Sequence, residues 1–179
     1  MSICAKEVNK YLSAIKRGDQ AGFKALYDAI ATRVMGIARY YLVDKSYCED
    51  VMNEAFQNVF LYINSYDESK DGYNWICRIT ENVAYKYNNR MPPPSDDLSE
   101  TGSESGKFEI TDDAEEKLDL FRAIDSLDPE SREMVYSYYF LGNSYQEIGD
   151  GLHISRVAVK KKIDKILSKI KRYLETGKR

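Results

Sequence analysis

The chain has 179 residues, a formal net charge of −3, 43% hydrophobic residues, ten Gly and four Pro. That suits one good core or two small ones and excludes fibrous or low-complexity chains. No stretch approaches a membrane span, and Met1-Ser2-Ile3-Cys4-Ala5-Lys6-Glu7 carries charge where a signal peptide needs an apolar run, so a cytoplasmic protein is expected.

Cys4, Cys48 and Cys77 are odd in number, far apart and without CxxC spacing. They read as free thiols in a reducing compartment rather than as a disulfide framework or zinc site. The single histidine, His153, excludes His-based triads and His metal clusters, and no phosphate-cradling glycine loop is visible. No metal, no cofactor and no enzymatic activity are expected.

No alternating strand pattern recurs, so the fold class is all-α. Residues 4–17 carry Val8, Leu12 and Ile15 at helical spacing, and Gly18-Asp19 breaks that helix. Asp19 can cap a second helix through Phe23, Leu26, Tyr27, Ile30 and Val34, running on to Tyr40 and Tyr41. Ser46 with Glu49 reads as a capping box opening a third helix through Val51, Ala55, Phe56 and Val59 to Ile63. After a polar loop, a fourth helix runs from Tyr73 or Asn74 to about Asn89, with Trp75, Ile76, Ile79, Val83 and Ala84 facing in.

Pro92-Pro93-Pro94 ends that domain, since proline cannot continue a helix. From Met91 to Asp119 there are ten acids against Lys107 and Lys117, and apolar periodicity is missing over most of it. This predicts an acidic linker over 91–113, disordered in the free chain, between domains at 1–90 and 114–179. Order resumes with Leu118, Phe121, Ile124 and Leu127. Asp128-Pro129 then starts a helix carrying Met134, Val135, Tyr138 and Tyr139 and stopping at Gly142.

Ser144 with Glu147 is a further capping box, and Ser155 is a good N-cap for the helix that follows. Gly149, Gly151 and His153 make a long continuation of the first unlikely, so two short helices with a tight turn between them are expected, the layout of a DNA-binding helix-turn-helix. In the second helix Val159, Ile163, Ile166, Ile170 and Leu174 form one apolar stripe. Lys161, Lys165 and Arg172 lie roughly opposite, with Lys160, Lys162 and Lys169 on the flanks. Ser155 to Arg179 holds ten Lys/Arg against Asp164 and Glu175, a local +8 that leaves −11 on the other 154 residues. A Lys-rich face alone is usually solvated surface, but this asymmetry points to a polyanion partner.

These residues resemble bacterial RNA polymerase sigma factors of the extracytoplasmic-function (ECF) type. Lys16-Arg17-Gly18-Asp19 to Tyr27 is similar to their opening segment, and Cys48-Glu49-Asp50-Val51-Met52-Asn53-Glu54-Ala55-Phe56 to their core-polymerase-binding helix. Tyr66-Asp67 with Trp75 to Ala84 and Arg90 resembles the promoter-melting helix. Leu127 to Glu133 and Ser144 to Lys171 resemble the domain that reads the upstream promoter element. His153 departs from the usual turn Gly, Asn53 from the usual Gln, and Glu81 from a position often small or basic.

The resemblance implies a protein that binds core RNA polymerase, recognises double-stranded and locally melted promoter DNA, directs transcription initiation and can meet an anti-sigma protein. Asp50, Asn53, Glu54 and Gln57 share one polar helix face, which the resemblance assigns to polymerase docking. Tyr66, Tyr73 and Trp75 are implied to stack on bases of the melted element, although aromatics at such spacing are more often core. Arg78, Asn82, Lys86 and Arg90 are implied to meet phosphates and base edges. For the upstream element, Ser155, Arg156, Lys160 and Lys161 begin the recognition helix, while Lys165 and Arg172 suit phosphates. The alternative is a helix-turn-helix regulator acting on an operator without replacing sigma, which would have no need of a docking face on the third helix.

Overall fold

The structure, a computed structural model, describes residues 5–90 and 112–176. Among them are eight α-helices and no strand: α1 Ala5–Lys16, α2 Gln20–Tyr41, α3 Cys48–Leu61, α4 Gly72–Arg90, α5 Asp112–Asp125, α6 Pro129–Val135, α7 Tyr145–Leu152 and α8 Arg156–Thr176. The packing divides into two compact units, one holding α1 to α4 and the other α5 to α8. The expected linker at 91–113 lies almost wholly outside the described residues, and α5 already begins at Asp112.

In the first unit the apolar periodicities converge on one core. Leu12 from α1, Leu26, Ile30, Val34 and Ile37 from α2, Val51 and Ala55 from α3, and Ile76 and Ala84 from α4 are almost completely buried. Each Leu, Ile or Val so buried contributes about 1.5–3 kcal/mol of transfer free energy. Thr80, polar yet fully buried, donates its hydroxyl to the Ile76 carbonyl at 3.0 Å within α4.

Helix α1 is also fastened to the loop before α4. Ser13 donates to Glu68 (2.6 Å), Lys16 donates to the Tyr66 carbonyl (2.8 Å), and the Gly72 N–H donates to Asn9 Oδ1 (2.8 Å). A Cβ at Gly72 would lie 2.5 Å from Leu12 Cδ1, so glycine permits the approach there.

Asp19 caps α2 as expected, accepting from Ala21 N–H at 2.9 Å. The start of α3 differs. Asp44, not Ser46, is the capping residue: its carboxylate accepts from both the backbone N–H (2.9 Å) and the hydroxyl (2.7 Å) of Ser46. This closes a short 3₁₀ turn, Lys45–Tyr47, and α3 follows with no side-chain cap of its own. An ionised Asp is as good a cap as Ser, and here it also engages Ser46 itself.

The second unit gathers Phe121 and Ile124 of α5, Met134 and Val135 of α6, Ile148 of α7, and the α8 stripe Val159, Ile163, Ile166 and Ile170. Leu118 does not join this core and is 48% exposed. Asp128 caps α6 through Ser131 N–H (2.9 Å) with Pro129 in the first turn. The α-helix stops at Val135 instead of continuing to Gly142; Tyr136–Phe140 is wound as π-helix, and Gly142 has φ +78°.

Candidate DNA-binding and protein-docking faces

In the second unit the turn between α7 and α8 is built from local chemistry. Both halves of the Ser144/Glu147 capping box form: Ser144 Oγ accepts from Glu147 N–H (3.3 Å) and Glu147 Oε2 accepts from Ser144 N–H (2.7 Å). Accepting from Ser144 holds the Glu147 carboxyl below the usual carboxylate range. Helix α7 then ends at His153, which takes φ 55° and ψ 38°, the left-handed conformation that glycine usually fills. Ser155 Oγ accepts from Ala158 N–H (3.2 Å) and launches α8.

Arg156, Lys160, Lys161, Lys165 and Arg172 are all exposed on α8. The flanking lysines are committed elsewhere. Lys162 forms an ion pair with Glu130 of α6, and Lys169 lies 3.6 Å from Asp128. The basic surface is thereby sorted into an outward set and a set that seats α8 on α6. Beside the turn, Tyr138 and Tyr145 stack at 4.5 Å, and Tyr138, Ser144, Tyr145, Gln146 and Arg156 line a hollow of about 470 Å³.

In the first unit Asp50, Asn53 and Gln57 are exposed along α3, opposite the buried Val51, Ala55 and Val59. Glu54 is partly covered, because Lys86 of α4 pairs with it at 2.6 Å. Gln57 borders a mainly apolar groove of about 790 Å³ lined by Phe23, Phe60 and Leu61.

On α4, Arg78, Asn82, Lys86 and Arg90 are exposed on successive turns. The aromatic candidates are placed differently. Tyr66 is 2% exposed, with its hydroxyl donating to the Lys70 carbonyl (3.0 Å) and its ring against Trp75 at 5.2 Å. Tyr73 is also buried, under the Arg33 guanidinium at 5.5 Å. The Tyr66 ring offers no free face for a base in this conformation, because it completes the core; Trp75 remains partly exposed.

Tyr85, not singled out in the sequence, is instead 48% exposed between Asn82 and Lys86. Its spacing from Arg78 and Asn82, i+7 and i+3, was the signal that could have found it. Its ring meets Tyr41 at 5.6 Å. Glu81 faces Tyr41, whose hydroxyl pKa is pushed up to about 12, first by burial and then by that carboxylate. Burial likewise raises Cys48, and lifts Cys77 to about 12, which disfavours the reactive thiolate form at both. Among the described residues no group of His, Cys, Asp and Glu could hold a metal ion, and no helix is long and apolar enough to cross a membrane.

A capped helix-turn-helix with a basic second helix defines the second unit as a DNA-binding domain. The description "Sigma-70, region 4" matches residues 123–172, and "Sigma-70 region 2" matches residues 26–90. The ECF RNA polymerase sigma-E factor of Escherichia coli K12 is 31% identical over 147 residues, 75% of this chain and 76% of that protein. The ECF RNA polymerase sigma factor SigK of Mycobacterium ulcerans is 23% identical over 178 residues, 96% of this chain and 95% of that protein. The solved structure of CnrH in complex with the cytosolic domain of CnrY aligns with a TM-score of 0.48 and 18% identity, covering 95% of this chain and 98% of that one. The chain belongs to the sigma-70 family, as an ECF RNA polymerase sigma factor.

Proposed function

We propose that this sigma factor docks on core RNA polymerase through Asp50, Asn53, Glu54 and Gln57 of α3, and reads promoter DNA with both units. Arg78, Asn82, Lys86, Arg90 and Trp75 meet the melted element, while Ser155, Arg156, Lys160, Lys161, Lys165 and Arg172 meet the upstream element. The acidic stretch 91–113 serves as the tether, the working compartment is the cytoplasm, and an anti-sigma protein can mask the same faces. No covalent step is assigned to the chain.

The observation that carries the reading is the α3 face. Asp50, Asn53 and Gln57 stand exposed on a helix whose other side is fully committed to the core, beside a basic-rich helix α4. A partner surface carrying basic groups would complement its acidic end. The double substitution Asp50→Lys and Asn53→Lys leaves the Glu54–Lys86 pair intact and alters only exposed positions, so folding changes little. Co-purification with core polymerase and run-off transcription are expected to be lost while the melting temperature holds. If the wild-type chain retains no core polymerase yet binds a defined duplex tightly alone, it acts as an operator binder instead.

A further inference from the structure

Glu54 belongs to the face proposed for polymerase and Lys86 to the face proposed for DNA, yet their side chains meet at 2.6 Å. We propose that Glu54 is exchanged between these two partners: in the free chain it holds Lys86, and docking on polymerase takes Glu54 and releases Lys86 to a DNA phosphate. The proposal rests on the docking reading of α3 given above and adds a coupling between the two faces.

The geometry around the pair favours an exchange. The Glu54 side chain is 24% exposed and Lys86 46%, so both remain reachable from solvent. Lys86 follows Arg78 and Asn82 on successive turns of α4, and Glu54 adjoins Asp50 and Asn53 on α3. Tyr87 lies against the same carboxylate, and its hydroxyl holds its proton more tightly through burial and the nearby Glu54 and Asp50 charges.

A lysine ammonium on a four-carbon stem can swing to a new acceptor without disturbing the backbone. An ion pair that solvent still reaches on both sides is weak enough to yield to a fixed basic partner. Coupling of this kind is reciprocal: DNA that captures Lys86 also leaves Glu54 available for polymerase, by the same factor.

A merely structural ion pair predicts the opposite sign in one measurement. If Lys86 competes for Glu54, Lys86→Met tightens equilibrium binding to core polymerase, by about two- to five-fold. If the pair only positions Glu54, Lys86→Met weakens that binding or leaves it unchanged, and the exchange is overturned. The second arm needs no polymerase. Glu54→Gln in the free chain should steepen the salt dependence of binding to a short fluorescein-labelled single strand by about 0.7 in log–log slope, the increment for one more neutralised phosphate.

That increment should vanish in the double variant Glu54→Gln/Lys86→Met and should be absent in Glu49→Gln, which removes an exposed acid of the same helix. An equal increment in Glu49→Gln, or none in Glu54→Gln, overturns the proposal. Circular dichroism of each variant should keep wild-type helicity, because the pair joins side chains that both remain solvent-reachable. Failure of the wild-type chain to bind core polymerase would count against the docking reading, and the single-strand arm reads the release of Lys86 independently of it.

Discussion

The Ile154 N–H donates to the Gly149 carbonyl at 2.9 Å, and a Cβ on Gly149 would stand 2.6 Å from the Ile154 carbonyl oxygen. The chain reverses here with no room for a side chain. Gly149→Ala should therefore force the turn apart, destabilising the second unit by about 1–3 kcal/mol and lowering duplex affinity. His153 beside it holds φ 55° against the preference of its Cβ. His153→Gly should raise stability by about 0.5–1 kcal/mol once its greater freedom in the unfolded chain is subtracted. Thermal melts of the two variants shifting in the same direction would contradict this account of the turn.

The two sets of lysines on α8 make separable predictions. Lys165 is exposed, and Lys165→Ala should weaken binding to all sequences alike and flatten the salt slope by about 0.9. Lys162 is paired with Glu130, so Lys162→Ala should instead cost about 0.2–1 kcal/mol of stability and change the slope little. Arg156→Ala should alter which sequence is preferred, as a residue at the start of a recognition helix. Equal slopes for the Lys162 and Lys165 variants would remove the distinction.

Tyr66 and Tyr85 exchange the roles that aromatic spacing suggests. Tyr66→Phe loses one hydroxyl bond and should cost about 1 kcal/mol, whereas Tyr66→Ala should cost about 3–5 kcal/mol and loosen the first unit. Tyr85→Ala should leave the melting temperature close to wild type. Its effect should appear in single-strand affinity, by about 1–3 kcal/mol if a base stacks on it. Unchanged single-strand binding by Tyr85→Ala would leave that ring as plain surface.

Acid should unfasten the helix starts. Asp44, Asp128 and Glu147 each accept backbone N–H groups, from Ser46, Ser131 and Ser144, and each is held below its ordinary range by those bonds. A carboxyl with a depressed folded-state pKa binds protons preferentially when unfolded. Its contribution is therefore complete above the unfolded value of about 4 and is lost as pH falls through the folded value. Melting temperature should stay level near neutrality and drop below about pH 4. Asp128→Asn and Glu147→Gln, which keep an acceptor but cannot ionise, should flatten that drop; a drop left unaltered would place the acid sensitivity elsewhere.

Local patterns were the legible part of this chain. The Ser144/Glu147 box, the Ser155 and Asp19 caps and the α8 stripe all depend on residues within one or two turns, and all stand in the structure as read except Leu174, which is only half-buried. What failed were choices settled by a competing neighbour or by distant partners. Ser46 looked like a cap until Asp44 claimed both its donors, and Tyr66 looked available until the core closed over its ring. Lys162 and Glu130 are 32 residues apart in sequence, as are Lys86 and Glu54. No periodicity links such pairs, so which charges face a ligand and which face each other had to be seen.

The bond from Gly72 to Asn9 also sets an order in time. These residues are separated by 63 positions, and α1 gains this bond only once the start of α4 exists. At bacterial-scale synthesis of about 5–20 residues per second, Asn9 waits roughly 3–13 s for its partner to be made. During that interval Val8, Leu12 and Ile15, buried in the finished fold, have no α4 to cover them. Within the first unit, α1 thus completes its packing only after the start of α4 has been made.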